Sequence, residues 1–302
     1  MGRKIICLGE TVLDIIFRNS QPQQANPGGS TFNTSVSLGR AGSDVYLISE
    51  TGDDEVGKII RDFLKENNVD SSCVRVYQGM KSKVSLAILD EKNDARYTFY
   101  GDEPLERLDF LTPEICPDDV VVFGSYYALN PANREFVKKF LSYARSCGAI
   151  IYYDINFRPS HASDLDQLRP FIMDNIASSD IVRASVDDIH TAFGLSDPRL
   201  VYDTVISRYC SVFICTDASR EILLADYGSF YEYPVQKIET VSTIGAGDSF
   251  NAGIAYGLIH EDVVKDDLRD APWEQLIEWG QLFSRNCCMS IENYIDKDLL
   301  QA

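Results

Sequence analysis

The sequence predicts an α/β fold, a mainly parallel sheet covered by helices. Short apolar runs alternate with longer amphipathic segments along most of the chain, which is how strand–helix–strand units read. The 302 residues suit one large α/β domain, or a core with a small appendage, and the 45% hydrophobic content is ordinary for a globular protein. Two regions break the alternation, and together they predict a few extra strands over one end of the core as a candidate lid.

The first apolar run, Ile5-Ile6-Cys7-Leu8, predicts a strand over 4–10. Residues 11–27 begin as Thr-Val-Leu-Asp-Ile-Ile-Phe and end in a stretch rich in Gln and Pro; they form the first interruption. A helix follows over 32–40, a strand over 44–49 and a helix over 54–67. Residues 81–101 form the second interruption. Val84 to Asp90, a turn through Lys92-Asn93-Asp94 and Ala95 to Tyr100 have the alternation and turn chemistry of a hairpin, so lid strands are expected within about 11–27 and 81–107. Core strands are then predicted over 119–124, 149–154, 181–184, 212–216 and 221–226. Helices are predicted over 132–147, 186–193, 198–209, 247–260 and 273–291. No internal repeat or low-complexity tract is present.

Charge and cysteines narrow the function. Twenty-eight basic against 46 acidic residues give a net charge of −18, with no long Lys/Arg run, so a nucleic-acid partner is not expected. The first apolar run is too short for a signal peptide, and no run reaches membrane-spanning length. Eight cysteines, none in a Cys-x-x-Cys arrangement, read as reduced core thiols, and the expected compartment is the cytoplasm.

The segment Ser242-Thr243-Ile244-Gly245-Ala246-Gly247-Asp248 precedes a run of small and apolar residues suited to a buried helix. Gly245 to Gly247 therefore fall at a helix start, where unpaired N–H groups and the helix dipole favour a phosphate. Glycines there admit close approach of the backbone to that phosphate. Asp248 lies within reach of whatever attacks it, although a helix cap reads equally well on this segment alone. In Pro27-Gly28-Gly29-Ser30-Thr31-Phe32-Asn33, the paired glycines permit a tight turn and Asn33 offers a donor and an acceptor to a hydroxyl; a plain loop-to-helix turn accounts for it too. Asp14, beyond the first strand, is placed to accept hydrogen bonds from a polyol. In Asp154-Ile155-Asn156-Phe157-Arg158, the Arg suits a forked contact with phosphate or a surface salt bridge. Ser185, with Asp188 three residues on, forms a helix cap; Asp188 also suits a water held on magnesium. The chain has no Gly-x-x-x-x-Gly-Lys-Ser/Thr loop, protein-kinase signature set, Gly-x-Ser-x-Gly elbow or paired histidines.

In order, these pieces resemble the ribokinase/PfkB family of sugar kinases over nearly the whole chain. Gly9 to Asp14, Gly28-Gly29 with Asn33, Thr51-Gly52-Asp53-Asp54-Glu55-Val56-Gly57, Asp154-x-Asn156-x-Arg158 and Gly245-Ala246-Gly247-Asp248 match five family segments. The resemblance implies a Rossmann-like three-layer α/β/α core with a small β-sheet lid, a single kinase domain over 1–302. It implies ATP-dependent phosphorylation of a primary hydroxyl of a small sugar, fructose or a related ketohexose or sugar acid. Asp248 would be the base, Gly245, Ala246 and Gly247 the anion hole, and Arg158 a further catalytic group. Asp14, Gly28, Gly29, Asn33, Asp154 and Asn156 would bind the sugar. Ser185, Asp188, Thr216, Asn251 and Asn286 would lie on the nucleotide side, with Asp188 on Mg2+ through water. A nucleoside kinase of the same fold, or a weakened regulatory binding protein, is the alternative, and a homodimer through the lid is expected of such relatives.

The chain departs from the family in four places. Ser242 replaces an Asp that helps hold a monovalent cation, which puts potassium activation in doubt. Asn-x-x-Glu becomes Ser185-Val186-Asp187-Asp188. Thr216-Asp217-Ala218-Ser219-Arg220-Glu221 has lost both glycines of a Thr-x-Gly-x-x-Gly turn, and Asp217 or Glu221 would repel phosphates. Tyr100 is followed by Gly101, where many relatives carry an Arg.

Overall fold

The computed structural model describes residues 2–89, 95–104 and 111–300. In chain order the elements are β1 (Ile5–Leu8), β2 (Val12–Arg18), β3 (Gln21–Gly28), α1 (Ser30–Arg40), β4 (Val45–Gly52), α2 (Glu55–Glu66), β5 (Val74–Tyr77), β6 (Val84–Leu89), β7 (Ala95–Tyr100) and β8 (Val120–Gly124). They continue with α3 (Arg134–Ser146), β9 (Ile150–Asp154), α4 (Leu165–Ala177), β10 (Ile181–Ser185), α5 (Val186–Phe193), α6 (Pro198–Thr204), β11 (Val212–Asp217), β12 (Glu221–Asp226), β13 (Ser229–Pro234), α7 (Ala246–His260) and α8 (Trp273–Cys288).

The large sheet runs β13-β12-β11-β10-β9-β8-β1-β4-β5, and the small one β3-β2-β6-β7. From β5 to β11 every pairing in the large sheet is parallel; β12 and β13 close that edge antiparallel. Strands β1, β8 and β9 are buried throughout, because helices cover both faces. Alternation along β1 sorts the core into two layers. Ile5 and Cys7 pack with Phe32 and Val36 of α1, Ile60 and Leu64 of α2, Phe250 of α7 and Leu276 of α8. Ile6 and Leu8 pack with Phe140 of α3, Ile172 of α4, Ile189 of α5 and Val201 of α6. Each such side chain contributes about 1.5–3 kcal/mol by leaving water. The result is the expected three-layer α/β/α core.

The small sheet joins the two regions that broke the alternation, through a parallel pairing of β2 with β6 that sets Asp14 opposite Ser85. The expected turn at 92–94, and 105–107 of the expected lid range, lie outside the described residues. Ile88, Phe99 and Tyr100 are exposed on this sheet. All eight cysteines are free thiols. Among the described residues no helix is long and apolar enough to cross a membrane.

Some elements differ from the sequence prediction. Helix α4 was not expected: Pro170 lies inside it, yet Leu168, Ile172 and Ile176 at four-residue spacing are buried and hold it helical. Strands β5 and β13 were also unexpected, being edge strands with few buried residues. The helix predicted over 198–209 stops at Thr204, where Val205 leaves helical geometry, and resumes as a 3-10 turn, Ile206–Arg208. Asp14 belongs to β2 of the small sheet rather than to the end of the first core strand.

Candidate active site

The order of the large sheet reverses at β1, whose neighbours β4 and β8 lead away in opposite directions. Ligands of open α/β sheets bind outside the carboxyl ends of strands at such a point. Here β9 ends at Asp154 and β10 at Ser185, while β11 brings Thr216. Helix α7 points its first turn at the same edge.

Gly245 caps α7 in the left-handed region at φ 78°, and Ala246 and Gly247 open the helix. The Ala246 N–H donates to Thr243 O and the Ser249 N–H to Gly245 O. The N–H groups of Gly247 and Asp248 between them find no backbone acceptor in the preceding turn. The space a Cβ would need at either glycine is taken from inside the protein. At Gly245 it would come within 2.2 Å of Asn293 O; at Gly247 it would meet the two terminal nitrogens of Arg183 at 3.1 and 3.2 Å. Gly245 therefore admits the Asn293 backbone, and a Cβ at Gly247 would crowd the Arg183 guanidinium.

Asp248 is 7% exposed. Its Oδ1 accepts from Ser30 Oγ and its Oδ2 from Asn33 Nδ2, both at 2.8 Å, and Thr34 Oγ1 donates to its backbone oxygen. Asn156 Nδ2 donates to Ser30 Oγ at 2.9 Å, so one hydroxyl links Asp248 to Asn156. Burial raises the Asp248 carboxyl above its ordinary value; Asn33, Ser30 and the charges of Arg158 and Arg183 pull against that rise without cancelling it. Asn33 Oδ1 is buried without a partner, an unsatisfied acceptor of the kind that folded proteins seldom leave.

Gly28, Asp14 and Asn33 come together: a Cβ on Gly28 would lie 2.6 Å from Asp14 Oδ2 and 3.8 Å from Asn33 Oδ1. Gly29 caps α1 at φ 121°. Asp14 accepts from Ser85 Oγ across the small sheet. Its carboxyl is pushed up to about 6 by burial, with Glu10 adding to the rise and Ser85 opposing it. Arg158 is exposed just beyond β9.

Asp154 and Asn251, expected to touch sugar and nucleotide, are instead enclosed beneath the site. Asp154 Oδ1 accepts from Arg183 Nη1 at 3.1 Å and its Oδ2 from Asn251 Nδ2 at 2.8 Å. Asn251 Oδ1 accepts from Tyr152 OH, which uses both ends of the amide. Asn286 lies on α8 and accepts from the Asp296 N–H, tying down the C-terminal segment. Ser185 caps α5 in a capping box with Asp188, whose Oδ2 accepts from both the N–H and the hydroxyl of Ser185. Thr216 Oγ1 accepts from Arg183 Nη2 at 2.7 Å. Beyond it, Asp217 pairs with Arg220 at 2.7 Å, which offsets the repulsion expected of that acid. Ala218 keeps the left-handed conformation of a glycine at φ 45°. Ala218→Gly is expected to stabilise the protein by roughly 1 kcal/mol in a calorimetric melt, because a side chain is strained there. Ser242 Oγ accepts from the Ile244 N–H.

Sequence reasoning missed Ser30, Ser85 and Arg183. Ser30 lay unremarked inside a quoted motif; Arg183 carried the clearer signal, a single charge in the apolar run Ile181-Val182-Arg183-Ala184.

Residues 3–287 match the model of the pfkB family carbohydrate kinases. The chain belongs to that family. This sugar kinase is 26% identical over 264 residues to a fructokinase of Klebsiella pneumoniae, covering 85% of each chain. It is 24% identical over 267 residues to the aminoimidazole riboside kinase of Salmonella typhimurium, covering 84% of this chain and 81% of the relative. Its fold matches the fructokinase from Vibrio cholerae O395 in its fructose, ADP and calcium ion bound form with a TM-score of 0.84 at 19% identity, over 96% and 94% of the two chains. It matches the aminoimidazole riboside kinase from Salmonella enterica, complexed with aminoimidazole riboside and an ATP analog, with a TM-score of 0.82 at 20% identity, over 96% and 95%.

Proposed function

We propose that this sugar kinase transfers the γ-phosphate of ATP to a primary hydroxyl of a small sugar, fructose being the first candidate, with Asp248 as the base. The observation that carries the reading is the buried Asp248 carboxylate, gripped by Ser30 and Asn33 at the helix end where the N–H groups of Gly247 and Asp248 lack backbone acceptors. The sugar would lie between the core and the small sheet acting as a lid, on Asp14, Asn156 and the unpartnered Asn33 Oδ1. The hydroxyl proton passes to Asp248 as the oxygen attacks. Gly245, Ala246 and Gly247 would face the charge that grows on the transferred group, and the exposed Arg158 would add a cation. Lid closure would exclude water as a competing acceptor.

Among the described residues no group of three or more His, Cys, Asp or Glu side chains is placed to hold a metal ion. The ion is therefore assigned to the nucleotide. Asp188, whose Oδ2 is committed to Ser185, would hold magnesium through a water, and the ion would supply positive charge against the nucleotide phosphates. A riboside acceptor is the second reading, supported by the comparable match to aminoimidazole riboside kinase. ADP release measured over ketohexoses, pentoses, sugar acids and nucleosides, with and without potassium, tests both. Turnover on fructose supports the first, turnover confined to ribosides the second, and silence on all of them sinks the enzyme reading. Pairing of two copies through the exposed small sheet is part of the proposal, and light scattering checks it.

A pH effect follows from Asp14. Its ionised form accepts the sugar hydroxyls, so KM for the sugar is expected to rise by about tenfold per pH unit below about 6, and Asp14→Asn to abolish that slope. The sign for stability is opposite. Because the folded value lies above the ordinary one of about 3.9, ionisation of Asp14 costs stability as pH rises from about 4 to about 6.

A further inference from the structure

Arg183 is buried in β10 at 6% exposure, directly beneath the first turn of α7. Three elements fix its guanidinium. Asp154 at the end of β9 takes Nη1, Thr216 on β11 takes Nη2, and the missing Cβ of Gly247 lets both nitrogens press against α7. One turn along α7, the Phe250 ring centroid lies 5.9 Å from Cζ. Nε is buried without a partner. Burial alone would lower the Arg183 pKa, but the carboxylates of Asp154 and Asp188 outweigh it and keep the group charged.

Burying an ion pair is seldom a gain in stability, since apolar residues of similar volume usually do as well. A cation held under this turn therefore points to the chemistry above it, where a fixed charge out of water acts strongly. We infer that Arg183 is a positioning residue of phosphoryl transfer, which locks the turn at Gly247 in place and supplies positive potential beneath Gly245 to Gly247 as charge develops. The inference rests on the proposed reading of Asp248 and that turn.

The test uses the full chain in three forms, Arg183→Lys, Arg183→Met and the double variant Asp154→Asn/Arg183→Met. Arg183→Met is expected to lower kcat on the order of 10²-fold, with sugar KM changed by less than about threefold. Arg183→Lys keeps the charge and is expected to retain about tenfold more kcat than Arg183→Met. The acid limb of the kcat profile, read at saturating sugar where Asp14 is engaged, should move to higher pH in Arg183→Met, because Asp248 loses a positive neighbour. The other groups facing Asp248 stay in place: Ser30 and Asn33 from α1, Asp154 at the end of β9, Arg158 beyond it, and Cys287 from α8.

The double variant removes both buried charges, so it guards against a variant that merely fails to fold. It is expected to melt near the parent and still lose kcat, with its acid limb little moved because the two lost charges act oppositely on Asp248. An Arg183→Met or double variant with kcat within about threefold of the parent overturns the inference. Equal losses in the Lys and Met variants, matched by equal falls in Tm, also overturn it, since packing alone would then explain them. If Asp248→Asn stays active, the functional reading itself falls; if Asp248→Asn is inactive while the Arg183 variants turn over normally, only this inference falls.

Discussion

Asp248→Asn is expected to lower kcat by on the order of 10²–10⁴, the range for loss of a general base, with the fold intact. The amide matches the carboxylate in shape, and burial already strains the charged form at this position. The new NH2 group can donate to Ser30 Oγ, whose hydroxyl hydrogen must then point elsewhere, while the amide oxygen keeps Asn33 Nδ2; the cost is at most that of one hydrogen bond, about 1 kcal/mol. Activity should therefore collapse while Tm moves by a few degrees at most, and the KM for ATP should stay close to that of the parent. Initial rates of ADP formation and a calorimetric melt on the same preparation check both halves. Near-normal turnover would remove Asp248 from the role of base.

Asp154→Ala is expected to destabilise the protein by about 3–5 kcal/mol, the cost of leaving one member of a buried ion pair without its partner. Arg183 would keep Thr216 as an acceptor but lose its counter-charge, and Asn251 Nδ2 would lose the oxygen it now reaches at 2.8 Å. The expected fall in Tm is on the order of 10 °C. Asp154→Asn should fall less, because it still offers an acceptor to one neighbour. A melt of the Ala variant within about 2 °C of the parent would show that Asp154 does not carry the Arg183 charge.

Much of this was legible in the primary structure. The apolar runs that became β1, β8 and β9 are buried on both faces, and burial of that kind leaves a continuous signature whatever lies around it. Gly245 to Asp248 was legible as a helix start, and Ser185 with Asp188 as a cap, because caps are set by residues within a few positions of each other. Edge strands such as β5 and β13 leave no such mark, and α4 carries a proline that argues against it until its buried face is counted.

By itself the sequence determined the layered α/β class, the two regions that pair into the small sheet, and the short motifs at strand and helix ends, since each depends on neighbours in the chain. Only the tertiary structure decided that Ser30 and Asn33 grip Asp248 across more than two hundred residues, that Asp154 and Asn251 face inward, and that Arg183 lies against Gly247. Those pairings arise where separate strands and helices converge on one edge of the sheet, and sequence spacing carries no record of which side chains meet there.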